Sequence, residues 1–271
     1  MGKKSVDSLR VRPGGKVRLS KYDPNDDLGW DREAAEEQLA KNCARMAELH
    51  DLLFAANSHA LLVVLQGMDT CGKDGTVRHV LTGLNPQGCK VRPFKQPNSA
   101  ELDHDYLWRV HQVVPARGEI GVFNRSHYED VLVTRVLGMV SDKLAERRFD
   151  QINAWEQYLT DNNIVVLKLF LHISKDEQRE RLQARLDDPA KNWKFSETDL
   201  EARAKWGQYQ NAYADLLSAC SGKQAPWYIV PANRKWVRNL VVSELIVDVL
   251  KGLKLKYPKP KLDVSKIVIP K

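Results

Sequence analysis

Residues Ala60 to Gln66 read Ala-Leu-Leu-Val-Val-Leu-Gln and run straight into Gly67-Met-Asp-Thr-Cys-Gly-Lys73. The first stretch is short, apolar and rich in branched side chains, which predicts a strand buried on both faces, as in the middle of a parallel sheet. The second fits G-x-x-x-x-G-K, with a helical pattern after it. Glycines there let backbone N–H groups face inward around a phosphate, and the helix N-terminus adds partial positive charge. Lys73 then reaches the phosphoryl oxygens, with Gly67, Thr70, Gly72, Asp74 and Gly75 lining the loop. A merely tight strand-to-helix turn would need no lysine at that position. Parallel strands also need long crossovers, so this pair of segments constrains the rest of the chain to strands alternating with helices.

The alternation is present. Apolar residues recur at helical spacing from about Asp31 to Ala56, and Gly72 to Leu84 reads as a helix stopped by Asn85-Pro86. Strands are expected at Lys90–Phe94, Gly118–Phe123, Asn163–Ile173 and Trp227–Val230. Helices are expected from Ser99, as its cap, to about Val114, then over His127–Gly138, Asp142–Leu159, Lys175–Leu186, Asp199–Ala219 and Lys235–Leu253. Five strands and no second core pattern predict one α/β domain, a parallel sheet covered by helices on both faces. Residues 1–30, rich in Pro, Gly and charge, read as an extended arm; about 180–206 as a mobile lid; and 254–271 as a basic tail on the surface or on a partner subunit.

The net charge of +7 comes from the two ends. Residues 1–21 and 251–271 each carry +6, so the body between them sums to −5. Polyanion binding must therefore rest on local clusters and not on the total. Hydrophobic residues make up 43% of the chain, enough for one large core, yet the longest apolar runs are far too short to cross a bilayer. The basic start, Met1 to Lys4, has no apolar stretch after it, so no secretory signal is expected, and myristoylation of Gly2 has no supporting feature. Cys43, Cys71, Cys89 and Cys220 lack metal or disulfide spacing, which points to reduced thiols in the cytoplasm. Cys71, inside the loop, reads as a small buried filler.

Two departures from the usual phosphate loop matter. Asp74 follows Lys73 where nucleotide-hydrolysing loops carry a Mg²⁺-holding Ser or Thr, so a metal must be held some other way. Asp69 is an acid beside bound phosphate, which is unfavourable unless a cation sits between them. It reads as a metal ligand, or as an acid that braces its own loop. The third strand runs into Asn124-Arg-Ser-His-Tyr-Glu-Asp130, just past a carboxyl end, where parallel sheets bind ligands. Arg125 can clamp two phosphate oxygens, while Asn124, Glu129 and Asp130 offer oxygens to a metal or its waters. The plainer reading makes Glu129 and Asp130 first-turn acids stabilised by the helix dipole. His127 reads as structural rather than as a phosphorylated intermediate, and His104 and His111 stand two turns apart, too far for one ion. Arg181 and Arg185 share a face leading into a Lys/Trp-rich loop, either as cations of a closing lid or as part of a solvated charged face.

Together, Leu65–Gly75, Phe94-Lys-Gln-Pro97, Leu107–Gln112, Gly121–Arg135 and Leu171 to Lys194 resemble the polyphosphate kinase 2 family, over about residues 10 to 250. The resemblance implies a thymidylate-kinase-like P-loop kinase fold with a helical lid. It implies transfer of the terminal phosphoryl group of inorganic polyphosphate to nucleotides, and the Asn124 and Glu129 pattern resembles the members that accept both AMP and ADP. It implies Asp69, Lys73 and Arg125 at the centre of catalysis and Asn124, Glu129 and Asp130 about the metal and acceptor, with lid cations at Arg181 and Arg185. Met68 stands where many members carry Arg, which implies a looser phosphate contact. The expected cofactor is Mg²⁺, with Mn²⁺ as a substitute. The expected partners are polyphosphate, AMP, ADP or other nucleotides and further copies of the chain, with no membrane and no nucleic acid. Lys95, Arg109 and Arg125 are expected to line a polyanion channel. The competing readings are an ATP-dependent nucleotide or small-molecule kinase and a non-catalytic polyanion-binding protein.

Overall fold

The computed structural model describes residues 3–270; Gly2, and with it the question of its acylation, lies outside them. In chain order the regular elements are α1 (Arg32–Ala56), β1 (Ala60–Gln66), α2 (Lys73–Val80), β2 (Cys89–Pro93), α3 (Ser99–Leu102) and α4 (Trp108–His111). There follow β3 (Ile120–Asn124), α5 (Glu129–Val136), α6 (Asp142–Asp161), β4 (Ile164–His172) and α7 (Lys175–Leu186). The chain continues through α8 (Glu197–Ala204), α9 (Trp206–Ala219), β5 (Trp227–Pro231) and α10 (Lys235–Gly252).

Among the described residues all five strands run parallel in the order β2-β3-β1-β4-β5. The apolar run before the phosphate loop is thus the central strand, with Val63 level with Val122 on one side and Leu167 on the other. Every residue of β1 is buried, so its sequence has no polar alternation to show. Helices α1, α2 and α10 form one covering layer, and α5, α6 and α9 the other. Among the described residues no helix is long and apolar enough to cross a membrane.

The expected helix from Ser99 to Val114 is two short pieces, and Asn98, not Ser99, caps the first in a capping box with Glu101. The interruption falls at Asp103-His104-Asp105, where the Asp105 side chain accepts from the backbone N–H of Leu107 (2.9 Å). Short polar side chains compete for backbone groups in this way and displace the helical bond. The expected helix from Asp199 to Ala219 likewise divides at Lys205 into α8 and α9.

The N-terminal segment lacks long elements, but it is not a loose arm. Val6, Leu9, Val11, Val17, Leu19 and Leu28 are buried in the core, and Arg10 bridges to Tyr228 at the edge of the sheet. Burial of six apolar side chains at roughly 1.5–3 kcal/mol each is ample to hold an irregular segment in place. Beyond Lys254 the chain is exposed almost throughout.

Candidate active site

The phosphate loop joins the C-terminal end of β1 to α2, and positive φ angles shape it at Gly67 (149°), Thr70 (66°) and Gly72 (102°). A side chain at Gly72 would also have to displace the buried guanidinium of Arg238, because a Cβ there would overlap its Nη1. Lys73 is buried, and its Nζ donates to the carbonyls of Gly67 (2.8 Å) and Met68 (3.4 Å). Its ammonium end is therefore held across the mouth of the loop. Cys71 is fully buried, as expected of a filler.

The loop after β3 meets it from the side. Arg125 adopts φ 62°, a left-handed conformation that costs a non-glycine residue about 1–3 kcal/mol and persists only where surroundings impose it. Its guanidinium donates to Asp69 and, at 3.1 Å, to Glu129. Burial works against that charge, but Glu129 and Asp69 outweigh it and hold the guanidinium's pKa above its ordinary value. Asn124 Nδ2 donates to Asp74 Oδ1 at 2.6 Å, which ties the end of β3 to the first turn of α2. Asp69, Lys73, Asp74, Asn124, Arg125 and Glu129 thus form one constellation across the carboxyl ends of two neighbouring strands.

Asp130 stands slightly apart. Burial raises its carboxyl to about 6 against the opposing pull of Arg109 and Arg148, and its Oδ2 has no hydrogen-bond partner among the described residues. Arg109 is buried, donating to the Lys95 carbonyl (2.9 Å) and reaching Glu101 (3.4 Å). Lys95 is exposed.

The two arginines expected in a lid, Arg181 and Arg185, occupy different places. Arg181 is drawn inward: it donates to the carbonyls of Thr70 (2.9 Å), Ala232 (2.7 Å) and Asn233 (2.8 Å) and pairs with Glu177. It braces the phosphate loop from behind. Arg185 pairs with Asp199 (3.3 Å) and so ties α7 to α8 across the intervening loop.

Mg²⁺ usually keeps several waters and takes one or two carboxylates plus the substrate's phosphates. Asp69 and Glu129, drawn together by one guanidinium, with Asn124 nearby, fit that requirement. No trio of acidic, His or Cys ligands forms an all-protein cage among the described residues.

Several contributors escaped the sequence reading. Arg238, on α10, is 2% exposed and has no carboxylate partner among the described residues. It reaches the Cys71 carbonyl at 3.4 Å, and burial, with Arg181 adding to it, lowers its pKa to about 10. Gln178 donates to the Asp69 carbonyl at 3.2 Å. Tyr209 and Tyr213 of α9 are buried near the Arg125 cluster, and burial, with Glu129 and Asp69 adding to it, pushes the Tyr209 hydroxyl up to about 12. Their four-residue spacing on one helical face was the available signal. Lys168, in the apolar run of β4, is fully buried against Glu156 (2.5 Å) and the Tyr128 hydroxyl (3.0 Å). His127 is also fully buried, packed on Tyr128 and Trp155; no phosphoryl group has a path to it.

A central parallel strand leading into a phosphate-binding loop, with an arginine from the adjacent strand end and a helical segment behind, defines a P-loop kinase. Residues 29–258 match the family model described as Polyphosphate kinase 2 (PPK2), and the chain belongs to that family. It is 49% identical to an AMP/ADP-polyphosphate phosphotransferase of Meiothermus ruber, over 96% of this chain and 98% of that protein. An ADP-polyphosphate phosphotransferase of Rhodopseudomonas palustris is 45% identical over 93% of this chain and 91% of its own. The crystal structure of polyphosphate kinase 2 from Arthrobacter aurescens TC1 superposes with a TM-score of 0.93 at 44% identity, over 97% of this chain and 94% of the other.

Proposed function

We propose that this protein transfers the terminal phosphoryl group of inorganic polyphosphate to nucleoside mono- and diphosphates, converting AMP to ADP and ADP to ATP. The observation that carries the reading is the match along nearly the whole length of both chains to the M. ruber enzyme named for AMP and ADP. An oxygen of the acceptor's last phosphate attacks the polymer's terminal phosphorus. The new P–O bond forms as the bond to the next phosphate of the polymer breaks, so the nucleotide gains one phosphate and the polymer loses one.

Little covalent chemistry is asked of the protein in such a transfer; positioning and charge stabilisation do most of it. Lys73 and the inward N–H groups of the loop receive phosphoryl oxygens. Arg125, whose two nitrogens already face two separate oxygens, stabilises the charge spread over the transferring group. Asp69 and Glu129 would hold Mg²⁺, with Asn124 oriented beside them, and the ion supplies neutralisation of the phosphate oxygens. Arg109 and Asp130 flank the acceptor side. The segment from Arg181 to Ala204 excludes water, which keeps the phosphoryl group from hydrolysis.

We place the enzyme in the cytoplasm, which the four free cysteines support. Self-association is supported by exposed apolar residues in the tail, where Val268 and Ile269 are each 87% exposed; sedimentation velocity tests it. The deciding experiment for the activity incubates purified protein with AMP, Mg²⁺ and polyphosphate and no ATP. ADP followed by ATP is expected. Product only when ATP is supplied as donor would overturn the reading in favour of an ATP-dependent kinase.

A further inference from the structure

A groove of about 1140 Å³ lies between residues 16–24 of the N-terminal segment, the C-terminal end of β4 and one stripe of α9. That stripe carries Trp206, Gln210 and Ala214, whereas Tyr209 and Tyr213, which face the Arg125 cluster, belong to another. The groove is therefore outside the constellation described above.

Its charge is one-sided. Lys16, Arg18, Lys21, Arg135 and Lys175 line it, against Asp23 and Asp215. Arg135 is compensated by Asp142 and Asp215. Among the described residues the other four cations have no carboxylate within 4.0 Å. Three of them ride on a fixed frame, because Val17 and Leu19 are buried and the Val17 N–H donates to Ser218 Oγ at 2.8 Å. The Asn233 N–H likewise donates to the Pro24 carbonyl at 3.1 Å. Cations spaced along an anchored segment lose little freedom when an anion arrives.

An independent observation points to a ligand. Gln210 Nε2 and His172 Nδ1, both on residues lining the groove, have no hydrogen-bond partner among the described residues, although the backbone of Tyr22 and Leu19 lies beside the His172 ring and works against the lowering of its pKa by burial. His172 itself is only 7% exposed. Buried polar groups are rarely left unpaired, and exceptions mark places where an ion or water belongs. The amide nitrogen of Gln210 donates and suits an anionic oxygen, whereas the His172 ring already has backbone acceptors of Tyr22 and Leu19 beside it.

The groove also adjoins the phosphate loop. Lys175 lines it at the start of α7, and one turn further on Gln178 donates to the Asp69 carbonyl. Three residues, about 4.5 Å of helical rise, separate Lys175 from Gln178.

We propose that this groove is a second polyanion subsite, which holds trailing phosphates of the polymer whose end reacts at the loop. The proposal rests on the polyphosphate-transfer reading above. A linear polymer with one charge per unit offers nothing to read but charge and oxygen lone pairs, and the groove supplies cations and N–H donors. Its place in the reaction is to favour long donors over short ones, because each further phosphate seated there adds affinity without touching the chemistry.

The test uses the full chain and two donors, long-chain polyphosphate and tripolyphosphate, each with ADP. The triple variant Lys16→Glu/Arg18→Glu/Lys21→Glu is expected to raise the KM for the long donor, relative to that for tripolyphosphate, by about tenfold or more, with a shallower salt dependence. Lys175→Glu, on the opposite wall and compatible with its place at a helix N-terminus, is expected to shift the same ratio by about threefold, and it stands in should the triple variant fold poorly. A control reverses Lys256, Lys259 and Lys261 in the exposed tail and leaves the ratio unchanged. Equal KM increases for both donors, an unchanged ratio, or the same shift in the tail control would overturn the subsite. So would competition by a single-stranded nucleic acid as strong as that by polyphosphate, which would make the groove a nucleic-acid site. Failure of the wild type to use either donor would instead overturn the polyphosphate-transfer reading.

Discussion

Two groups of opposite charges meet the segment from Arg125 to Glu129. In the outer, upper group Arg125 spans Asp69 and Glu129 with its side chain 37% exposed; in the inner, lower group Lys168 meets Glu156, with side chains 0% and 3% exposed, against the Tyr128 hydroxyl. The residue types are similar, but their surroundings make them opposites. In the lower group Lys168 also donates to the Cys220 carbonyl (2.5 Å) and to the Tyr128 hydroxyl, which itself donates to Glu156 (2.7 Å). A desolvated pair so fully bonded has nothing left to offer a ligand, and its office is to hold the turn that carries Arg125. In the upper group one cation is shared by two acids on a strained backbone at the edge of solvent. Such an arrangement can exchange its partners for the phosphate and metal proposed above, because water and substrate can both replace what is displaced. Burial, rather than residue identity, separates the support from the working site.

The comparison breaks first at Lys168. Lys168→Met leaves Glu156 buried without its partner and is expected to cost about 3–5 kcal/mol of stability, read by urea unfolding. Adding Glu156→Gln should recover part of the loss, since no bare charge then remains. A loss below about 1 kcal/mol in the single variant would show that the lower group is not the support. The upper group makes the converse prediction. Lys73→Ala is expected to lower kcat/KM about 10²–10³-fold, as for loss of one preorganised transition-state contact, with the folded state retained by circular dichroism. Near-normal turnover would remove Lys73 from the mechanism.

Arg125→Lys sharpens the contrast within one charge type. An ammonium cannot present two fixed nitrogens to two acceptors, so a fall in kcat/KM of about 10–100-fold is expected, with little change in the unfolding midpoint. If Lys serves as well as Arg, the bidentate geometry is incidental.

Asp130 gives the smallest effect, and its sign follows from linkage. Its folded pKa of about 6 lies above its ordinary value, so the fold keeps the proton that the unfolded chain has already released. Its contribution is neutral below about pH 4 and becomes increasingly destabilising up to about pH 6, beyond which the full penalty persists. Asp130→Asn should accordingly be more stable than the wild type at pH 8, by on the order of 1–2 kcal/mol, and the gain should fade as pH falls from 6 to 4. Melts at both pH values check it; a gain that grows toward pH 4 would mean that the carboxylate is stabilised and not strained.

Much of this architecture was legible beforehand, and the reasons are specific. The buried run Ala60–Gln66, the glycine spacing that follows and the helical pattern after it are local signals. They require no knowledge of what packs where. Asn124 to Glu129 could be placed at the site because the carboxyl end of a parallel strand faces the crevice wherever the strand lies in the sheet. The break at Asp105 was hidden because a side chain competing for one backbone bond leaves the apolar spacing of Tyr106, Leu107 and Val110 intact. The N-terminal segment misled for the opposite reason: its Pro, Gly and charges predict no regular element, and they say nothing about whether Val17 and Leu19 find a surface to cover.

Chain order alone thus determined a phosphate-binding loop with an acid in it, a lysine at its end and an arginine from the next strand end. What tertiary structure decided was which charges are free to work. Arg181, Arg185 and Arg238 are alike as letters, yet one is bound to loop carbonyls, one joins two helices, and one is buried beneath Gly72 without a carboxylate partner among the described residues. Lys168 sits in an apolar run and is closed off, while Lys16, Arg18 and Lys21 sit in an irregular segment and line an open groove. Charge is a property of the residue. Its solvation and its partners are properties of the fold, since water and neighbours at long sequence separation set both.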